Sequence, residues 1–218
     1  MEDLIFSYSD KFHVKTARFA NVAFSNGSLP AGFLLRLEKH QPLCAPSDVK
    51  RYFVSPEESG QICMLSCILG KNREIFFPKL NEAQMMRFDD IARLLLKAYD
   101  YIPLECSSDE EAILNARPEI FKSKRYPVHF SISNTSGEKE TEEFFTKDES
   151  CDLERFSSLG VITGKPIPDV NKISSLLDRL TKVLDDNNLT KAKVVEILKD
   201  YLPNFEHREK NMSLDSKM

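Results

Sequence analysis

A short apolar strand that runs into a polar turn and then into a helix is the most constraining feature of the sequence. Residues 18–24 are mostly apolar, residues 25–28 are polar around a single glycine, and Pro30 stands where the first turn of a helix favours proline. In open α/β sheets, ligands bind where a strand ends and the chain enters a helix. The segment therefore predicts an α/β fold with a ligand site at this turn.

The segments that follow alternate between strand and helix patterns, in agreement with an α/β fold. Strands are predicted at residues 13–20, 50–54, 74–77, 103–106 and 126–132, and helices at residues 2–11, 28–39, 55–70, 88–98 and 109–116. Residues 74–77 lack polar alternation, as in a sheet that is covered on both faces. The helix at 55–70 begins with a capping box and has a broad apolar surface, so we expect it to be well buried and to end at Gly70 as the C′ residue.

The C-terminal part of the chain has a different character. We expect residues 1–150 to form the main body, residues 151–202 a helical C-terminal extension and residues 203–218 a disordered polar tail. Within the extension, apolar residues at helical spacing predict a helical hairpin whose second helix is capped by Thr190. The two apolar stripes are Ile173, Leu176, Leu177, Leu180 and Leu184, and then Val194, Ile197, Leu198 and Tyr201.

Composition and charge restrict the classes of partner. The net charge is −4 with acidic and basic residues interspersed, which predicts no nucleic-acid partner and no membrane partner. No apolar run approaches the roughly 18 residues of a membrane span, and the acidic start does not resemble a signal peptide. The five cysteines are irregularly spaced and no histidine pair completes a metal site, so we expect buried, reduced thiols in a cytoplasmic protein without a metal.

The polar turn supplies the first candidate site residues. Asn21 is expected at the end of a strand, where its amide can both donate and accept toward a ligand. The residues just before the helix offer hydroxyl and backbone groups that suit a phosphate or a sugar, and they are Ser25, Gly27 and Ser28. The alternative is an ordinary polar turn with a helix cap.

Arg51 is the next candidate. It alternates with apolar neighbours in a predicted strand, so its forked guanidinium could point into a cleft, where it suits a diphosphate. The alternative is a surface arginine or an ion pair with Glu57 or Glu58.

A charged run further along the chain supplies the last candidates. Glu138 and Lys139, together with Glu142 and Glu143, could form a charged lid over the site. The alternative is a solvated start of a helix, which such runs often form.

Four segments occur in a specific order and spacing. They are residues 16–22 with Ser25 and residues 27–30, residues 50–54 with Glu57 and Glu58, residues 74–80, and residues 137–139 with Glu142 and Glu143. Together they resemble the nucleotide-sugar 4,6-dehydratase branch of the extended short-chain dehydrogenase/reductases, the polysaccharide-biosynthesis proteins that act on UDP-N-acetylglucosamine. The resemblance implies the C-terminal part of a Rossmann-like α/β fold, with an incomplete sheet, a substrate-binding subdomain and a C-terminal helical hairpin.

The resemblance also implies roles for the candidate residues. The implied substrate-binding residues are Asn21, Ser25, Gly27, Ser28, Arg51, Glu138 and Lys139, with Arg51 near the pyrophosphate. Thr135 and Ser136 stand where family members usually carry Arg-Pro. A phosphate contact expected from that arginine is therefore absent or supplied elsewhere.

For the full-length family, the resemblance implies NAD or NADP as cofactor and conversion of UDP-N-acetylglucosamine to the 4-keto-6-deoxy sugar. Sugar C4 is oxidised by hydride transfer to the cofactor, water is lost across C5 and C6, and the hydride returns to C6. This chain has no glycine-rich dinucleotide fingerprint. We therefore expect a truncated, substrate-binding part that is inactive alone, with UDP-N-acetylglucosamine and a separate N-terminal half or a homo-oligomer as partners. The alternative is a non-catalytic sugar-nucleotide-binding or interaction subunit.

Overall fold

The computed structural model describes residues 1–133 and 142–203, together with residues 205 and 207. The strands of this part of the chain are β1 (Lys15–Ala17), β2 (Asn21–Val22), β3 (Leu43–Pro46), β4 (Lys50–Arg51), β5 (Phe53–Val54), β6 (Glu74–Pro78), β7 (Met86–Arg87), β8 (Ile102–Glu105), β9 (Arg125–Ser131), β10 (Ser150–Asp152) and β11 (Leu159–Thr163). The helices are α1 (Glu2–Phe6), α2 (Leu29–Glu38), α3 (Pro56–Leu69), α4 (Phe88–Ala98), α5 (Asp109–Asn115), α6 (Pro118–Lys122), α7 (Val170–Leu184) and α8 (Lys191–Tyr201).

A mixed sheet with the order β1-β6-β11-β10, the main sheet, contains the strand predicted at 74–77. β1 pairs with β6 in parallel, and β11 pairs antiparallel with both β6 and β10. All residues of β6 are buried, as its lack of polar alternation predicts. Ile75 and Phe77 pack with Ile162 on one face, whereas Phe76 belongs to the core on the opposite face, which α3 covers. Apolar side chains therefore cover β6 from both sides.

Helix α3 packs on the main sheet through a narrow stripe, and the prediction that it is well buried is wrong. Ile62 is buried against the sheet, and the buried Ser66 donates from Oγ to the Thr16 carbonyl at 3.0 Å. On the other side of the helix Met64 is 59% exposed and Ile68 is 75% exposed. A helix that lies on a sheet buries only the side that faces the sheet. In α3, apolar residues also occur on the side that faces away from it. The far side of α3 is therefore an exposed apolar face.

The end of α3 and its cysteines also differ from the predictions. Gly70 ends the helix with φ −71°, not in the left-handed conformation of a C′ glycine. It is required for a different reason, because a Cβ at this position would collide with the Ser66 carbonyl oxygen and approach the Phe76 ring at 3.2 Å. The cysteines were predicted to be buried, but only Cys106 is: Cys44 and Cys151 are half-buried, and Cys63 and Cys67 are exposed.

A second sheet with the order β3-β9-β8 is parallel throughout. Helix α4, which spans the predicted residues 88–98, packs on it together with α2, α5 and α6. The core of this sheet consists of Phe33, Leu37, Leu43, Ala45, Ala92, Leu96, Phe121, Tyr126 and Val128. The Tyr126 hydroxyl donates to the carbonyls of Arg36 and Gln41 at 3.1 and 2.7 Å, and burial raises the pKa of this phenol. The polar end of the largest buried side chain is thus satisfied.

The segment predicted as one strand at 50–54 forms two short strands, β4 and β5, in two different ladders. The segment is divided at Tyr52, because its two pieces pair with different partners. β4 pairs antiparallel with β7, which places Arg51 opposite Met86, and β5 pairs in parallel with β2, which places Phe53 opposite Asn21. Asn21 therefore begins a strand, whereas we predicted it at the end of one.

The C-terminal region begins with strands. β10 and β11 belong to the main sheet, so the helices of the predicted extension begin at Val170 and not at residue 151. Helices α7 and α8 form the predicted hairpin, and Thr190 caps α8 by accepting from the Lys193 N–H at 3.4 Å. The hairpin contacts α1, where the Tyr201 hydroxyl donates to Asp3 at 3.1 Å.

The remaining C-terminal predictions concern the tail and membrane spans. Of the tail predicted at 203–218, the structure describes residues 203, 205 and 207. Helix α7 is 15 residues long and carries charged side chains. Within the described ranges, no helix combines the length and the apolar character that a membrane span requires.

Candidate functional site

The β2–β5 ladder holds Asn21 beside the segment that contains Arg51. The backbone N–H of Asn21 and its side-chain Nδ2 both donate to the Tyr52 carbonyl at 3.1 Å, although 31 positions separate the two residues. The Ala23 N–H donates to the Val54 carbonyl at 2.8 Å and continues the ladder. Parallel pairing therefore brings together two candidate residues that lie far apart in the sequence.

Three donors on these segments surround the carboxylate of Glu142, and we call them the anion cradle. Asn21 Nδ2 donates to Glu142 Oε1 at 2.6 Å, and the Tyr52 N–H donates to Oε2 at 3.2 Å. Arg51 Nε lies 3.8 Å from Oε1, close enough for an ion pair. The Arg51 side chain is only 10% exposed, so solvent screens its charge less than it would at the surface. The cradle can therefore bind one anionic group.

Arg51 is not a surface arginine, which was one of the alternatives that we considered for it. It is buried, and its Nη1 donates to the carbonyl of Lys50 at 2.8 Å. Glu58, one of the ion-pair partners that we considered, accepts from the Ser55 N–H at 2.6 Å in the capping box of α3. Among the described residues, Glu142 has its carboxylate against the Arg51 guanidinium.

The polar turn has the geometry of a helix entry. Ser28 Oγ accepts from the Ala31 N–H at 3.3 Å and caps α2, and the Ser28 N–H donates to the Ser25 carbonyl at 2.9 Å. Gly27 has φ +77°, a conformation that favours glycine. Ser28 and Gly27 thus have structural roles that need no ligand, as the alternative for this turn predicted. Their roles toward a substrate, and that of Ser25, stay predictions.

The structure describes only two of the four charged residues predicted as a lid, Glu142 and Glu143. Glu138 and Lys139 lie outside the described residues. Glu142 contacts the anion cradle, whereas Glu143 is exposed. Of the four charged residues of this run, Glu142 is therefore the one that the structure shows in contact with the site.

Sequence reasoning missed Arg18, which binds two carboxylates at once. Its guanidinium donates to Glu2 at 2.7 Å through Nε and Nη2 and to Glu149 at 2.8 Å through Nη1 and Nη2. Lys165 Nζ lies 3.1 Å from Glu2 and adds a second cation. The signal was an arginine at the end of an apolar strand, where a charge needs partners.

These contacts change the acidity of both carboxylates. Hydrogen bonds from Arg18 lower the pKa of Glu149 to about 2. Burial by itself raises the pKa of Glu2, but hydrogen bonds from Arg18 and Lys165 outweigh it and hold that pKa below its ordinary value. Both carboxylates are therefore ionised at neutral pH, and the cluster holds α1 against the segment before β10.

The same arginine positions the segment that carries Glu142. Arg18 Nη1 also donates to the Phe144 carbonyl at 2.8 Å. The Phe144 ring packs against Tyr52, with centroids 5.6 Å apart, and stacks on Phe77 at 6.0 Å. Residues 142–149 are thus anchored by an ion pair and by ring packing, which places Glu142 on the cradle.

The described residues contain no group of three or more His, Cys, Asp or Glu side chains that could hold a metal ion. A dinucleotide fits them poorly as well. Its pyrophosphate needs a turn with several glycines that let the backbone approach closely, and the turn before α2 has only Gly27. We therefore assign no residue of this chain to NAD or NADP.

Comparison with known proteins identifies the family. The family model for polysaccharide biosynthesis proteins matches residues 4–163. The chain belongs to this family. The family is NAD-dependent epimerase/dehydratase-like, which suggests a nucleotide cofactor for its members. The predicted α/β fold class with a partial Rossmann-like domain is confirmed. No curated protein matches the chain.

A solved structure shows the same fold. The X-ray structure of Pen from Bacillus thuringiensis superposes with a TM-score of 0.55 at 18% sequence identity. The match covers 77% of this chain and 46% of Pen, so the chain spans about half the length of that protein. At this identity, the likeness concerns the fold alone.

Proposed function

We propose that this chain is the substrate-binding part of a nucleotide-sugar 4,6-dehydratase and that it binds UDP-N-acetylglucosamine. The anion cradle carries the proposal, since an amide, a backbone N–H and a guanidinium already surround one carboxylate. The same donors suit the oxygens of a diphosphate. Membership of the polysaccharide biosynthesis family supports a role with activated sugars.

The polar turn extends the proposed site. Residues 25–28 lie between β2, which begins at Asn21, and α2, and their hydroxyl and backbone groups are the further contacts that we propose for the ligand. Ser25 is half-buried and Gly27 exposed. In this arrangement Asn21 and Arg51 bind the phosphates, and the turn binds the nucleoside or sugar.

A second candidate is a non-catalytic sugar-nucleotide-binding or interaction subunit. It is favoured by the seven glycines of the chain, which do not form a dinucleotide fingerprint. The dehydratase part and a sugar-nucleotide-binding subunit bind the same ligand, and they differ in whether dehydration follows when a cofactor-binding half is supplied; an interaction subunit binds no sugar nucleotide. The separate N-terminal half, the homo-oligomer and the cytoplasmic location stay predictions.

Calorimetry tests the shared ligand. We expect heat of binding with UDP-N-acetylglucosamine and with UDP, and none with N-acetylglucosamine, because the cradle contacts the phosphates. Absence of heat with UDP-N-acetylglucosamine contradicts the dehydratase part and the sugar-nucleotide-binding subunit and leaves an interaction subunit. Addition of the cofactor-binding half of a relative with NAD⁺ then separates them: formation of a 4-keto-6-deoxy sugar supports the dehydratase, and binding without product supports the non-catalytic subunit.

A further inference from the structure

The anion cradle holds a carboxylate that belongs to the protein itself. Both Glu142 oxygens accept hydrogen bonds, Oε1 from Asn21 Nδ2 at 2.6 Å and Oε2 from the Tyr52 N–H at 3.2 Å. The Glu142 side chain remains 26% exposed. The carboxylate thus uses the cradle donors from a position that solvent, and a ligand, can reach.

The position of Glu142 is supported by its neighbours. Two residues further along, the Phe144 carbonyl accepts from Arg18, and the Phe144 ring packs against Tyr52. Glu149 binds the same arginine. Because the segment is anchored at Phe144 and at Glu149, the Glu142 carboxylate is held near the cradle at a high effective concentration.

A carboxylate and a phosphate compete for the same donors. The Asn21 amide and the Tyr52 N–H lie within hydrogen-bond distance of one anion, and a second negative charge beside Glu142 would be repelled at close range. A ligand phosphate therefore has to displace the Glu142 carboxylate to use the donors.

We propose that Glu142 is an internal competitor that occupies the anion cradle of the free protein and lowers its affinity for the ligand diphosphate. The inference rests on the proposed function, because it concerns the same site. Displacement of Glu142 releases a negative charge from Arg51 and Asn21, so the diphosphate takes over these contacts. The glutamate thereby sets both the affinity of the site and its preference for ligands with more than one negative charge.

Glu142→Gln removes the charge with little change in size. A glutamine side chain has one oxygen and one NH₂ group, so the NH₂ group faces the Tyr52 N–H, which is also a donor. The variant side chain therefore binds the cradle more weakly. We expect UDP and inorganic pyrophosphate to bind Glu142→Gln about tenfold more tightly than the unchanged protein. Glu142→Ala, which also removes the charge, provides the same comparison if the glutamine variant does not fold.

The matched control is Glu154→Gln, an exposed glutamate whose substitution changes the net charge equally. We expect it to leave both affinities unchanged, and uridine, which has no phosphate, to bind all variants alike. Affinity for UDP that is equal or weaker in Glu142→Gln overturns the inference and leaves the proposed function standing. Tighter binding of pyrophosphate without any binding of UDP supports the competitor and contradicts the proposed ligand. If neither anion binds Glu142→Gln or Glu142→Ala, both proposals are wrong.

Discussion

Arg18 and Glu149 are 131 positions apart and are joined by a pair of 2.8 Å hydrogen bonds between guanidinium and carboxylate. The arginine follows β1, and the glutamate precedes β10, the opposite edge strand of the main sheet. This pair fixes the path of residues 142–149, on which Glu142 and Phe144 lie. The geometry of the anion cradle therefore depends on an ion pair outside it.

Arg18→Ala is expected to destabilise the fold by about 3 kcal/mol, because it leaves two partly buried carboxylates without their main partner. Urea unfolding at pH 7 measures the change. The control is Arg179→Ala, whose ion pair with Asp200 is exposed on both sides and is expected to contribute below about 1 kcal/mol. Equal losses in the two variants would show that the Arg18 cluster contributes no more than a surface pair.

Stability is expected to fall on acidification through Glu149. Hydrogen bonds from Arg18 hold the pKa of Glu149 at about 2, below its ordinary value of 4.5. The folded state therefore favours the ionised form, and the stabilisation is complete above about pH 4.5 and is lost as pH falls toward 2. Urea unfolding between pH 7 and pH 2 measures this dependence. Glu149→Gln is expected to be less stable at pH 7 and to lose less stability on acidification, and parallel pH profiles would contradict this origin.

Arg51→Ala is expected to weaken UDP-N-acetylglucosamine binding roughly 10- to 100-fold, because a buried guanidinium no longer faces the diphosphate. Arg51→Lys keeps the positive charge but not the forked guanidinium, so its affinity is expected to lie between those of the unchanged protein and of Arg51→Ala. Calorimetry measures the affinities. Arg93→Ala is the control, since Arg93 pairs with Glu105 beside the second sheet. A control that weakens binding as much as Arg51→Ala would point to a general effect of charge.

Two glycines of the α3 region are expected to respond oppositely to alanine. Gly60 lies in the interior of α3 with nothing within 4 Å of a new Cβ, so Gly60→Ala is expected to stabilise the protein by about 0.5–1 kcal/mol. Gly70→Ala is expected to destabilise it by about 1–3 kcal/mol, because the Cβ meets the Ser66 carbonyl oxygen. Thermal unfolding of both variants measures the difference. A stabilised Gly70→Ala would show that this close approach is relieved without cost.

Local signals predicted most of the helices, although α1 ends at Phe6 and not at residue 11, and α6 was missed. Helix α4 spans the predicted residues 88–98, and the capping box that opens α3 forms as expected between Ser55 and Glu58. Thr190 caps α8. Caps and amphipathic spacing involve residues within one or two turns of each other, so these elements can be recognised without knowledge of the rest of the fold.

The strands were predicted less well, because pairing partners decide where a strand begins and ends. Residues 50–54 carry one continuous β pattern, yet they form β4 and β5 with different neighbours. β11 was missed entirely, since a short apolar run in a polar segment becomes a strand only beside β6. Nothing within these segments specifies the partner.

The sequence by itself determined the fold class, the polysaccharide biosynthesis family and the N-caps at Ser55 and Thr190, and it singled out Asn21 and Arg51 as candidates. Only the tertiary structure decided that Glu142 lies on them, that Arg18 anchors the segment carrying Glu142, and that one side of α3 stays exposed. The physical reason is the same in each case. Contacts between residues 50 to 126 positions apart depend on how the sheets bring distant segments together, and local side-chain patterns do not specify such contacts.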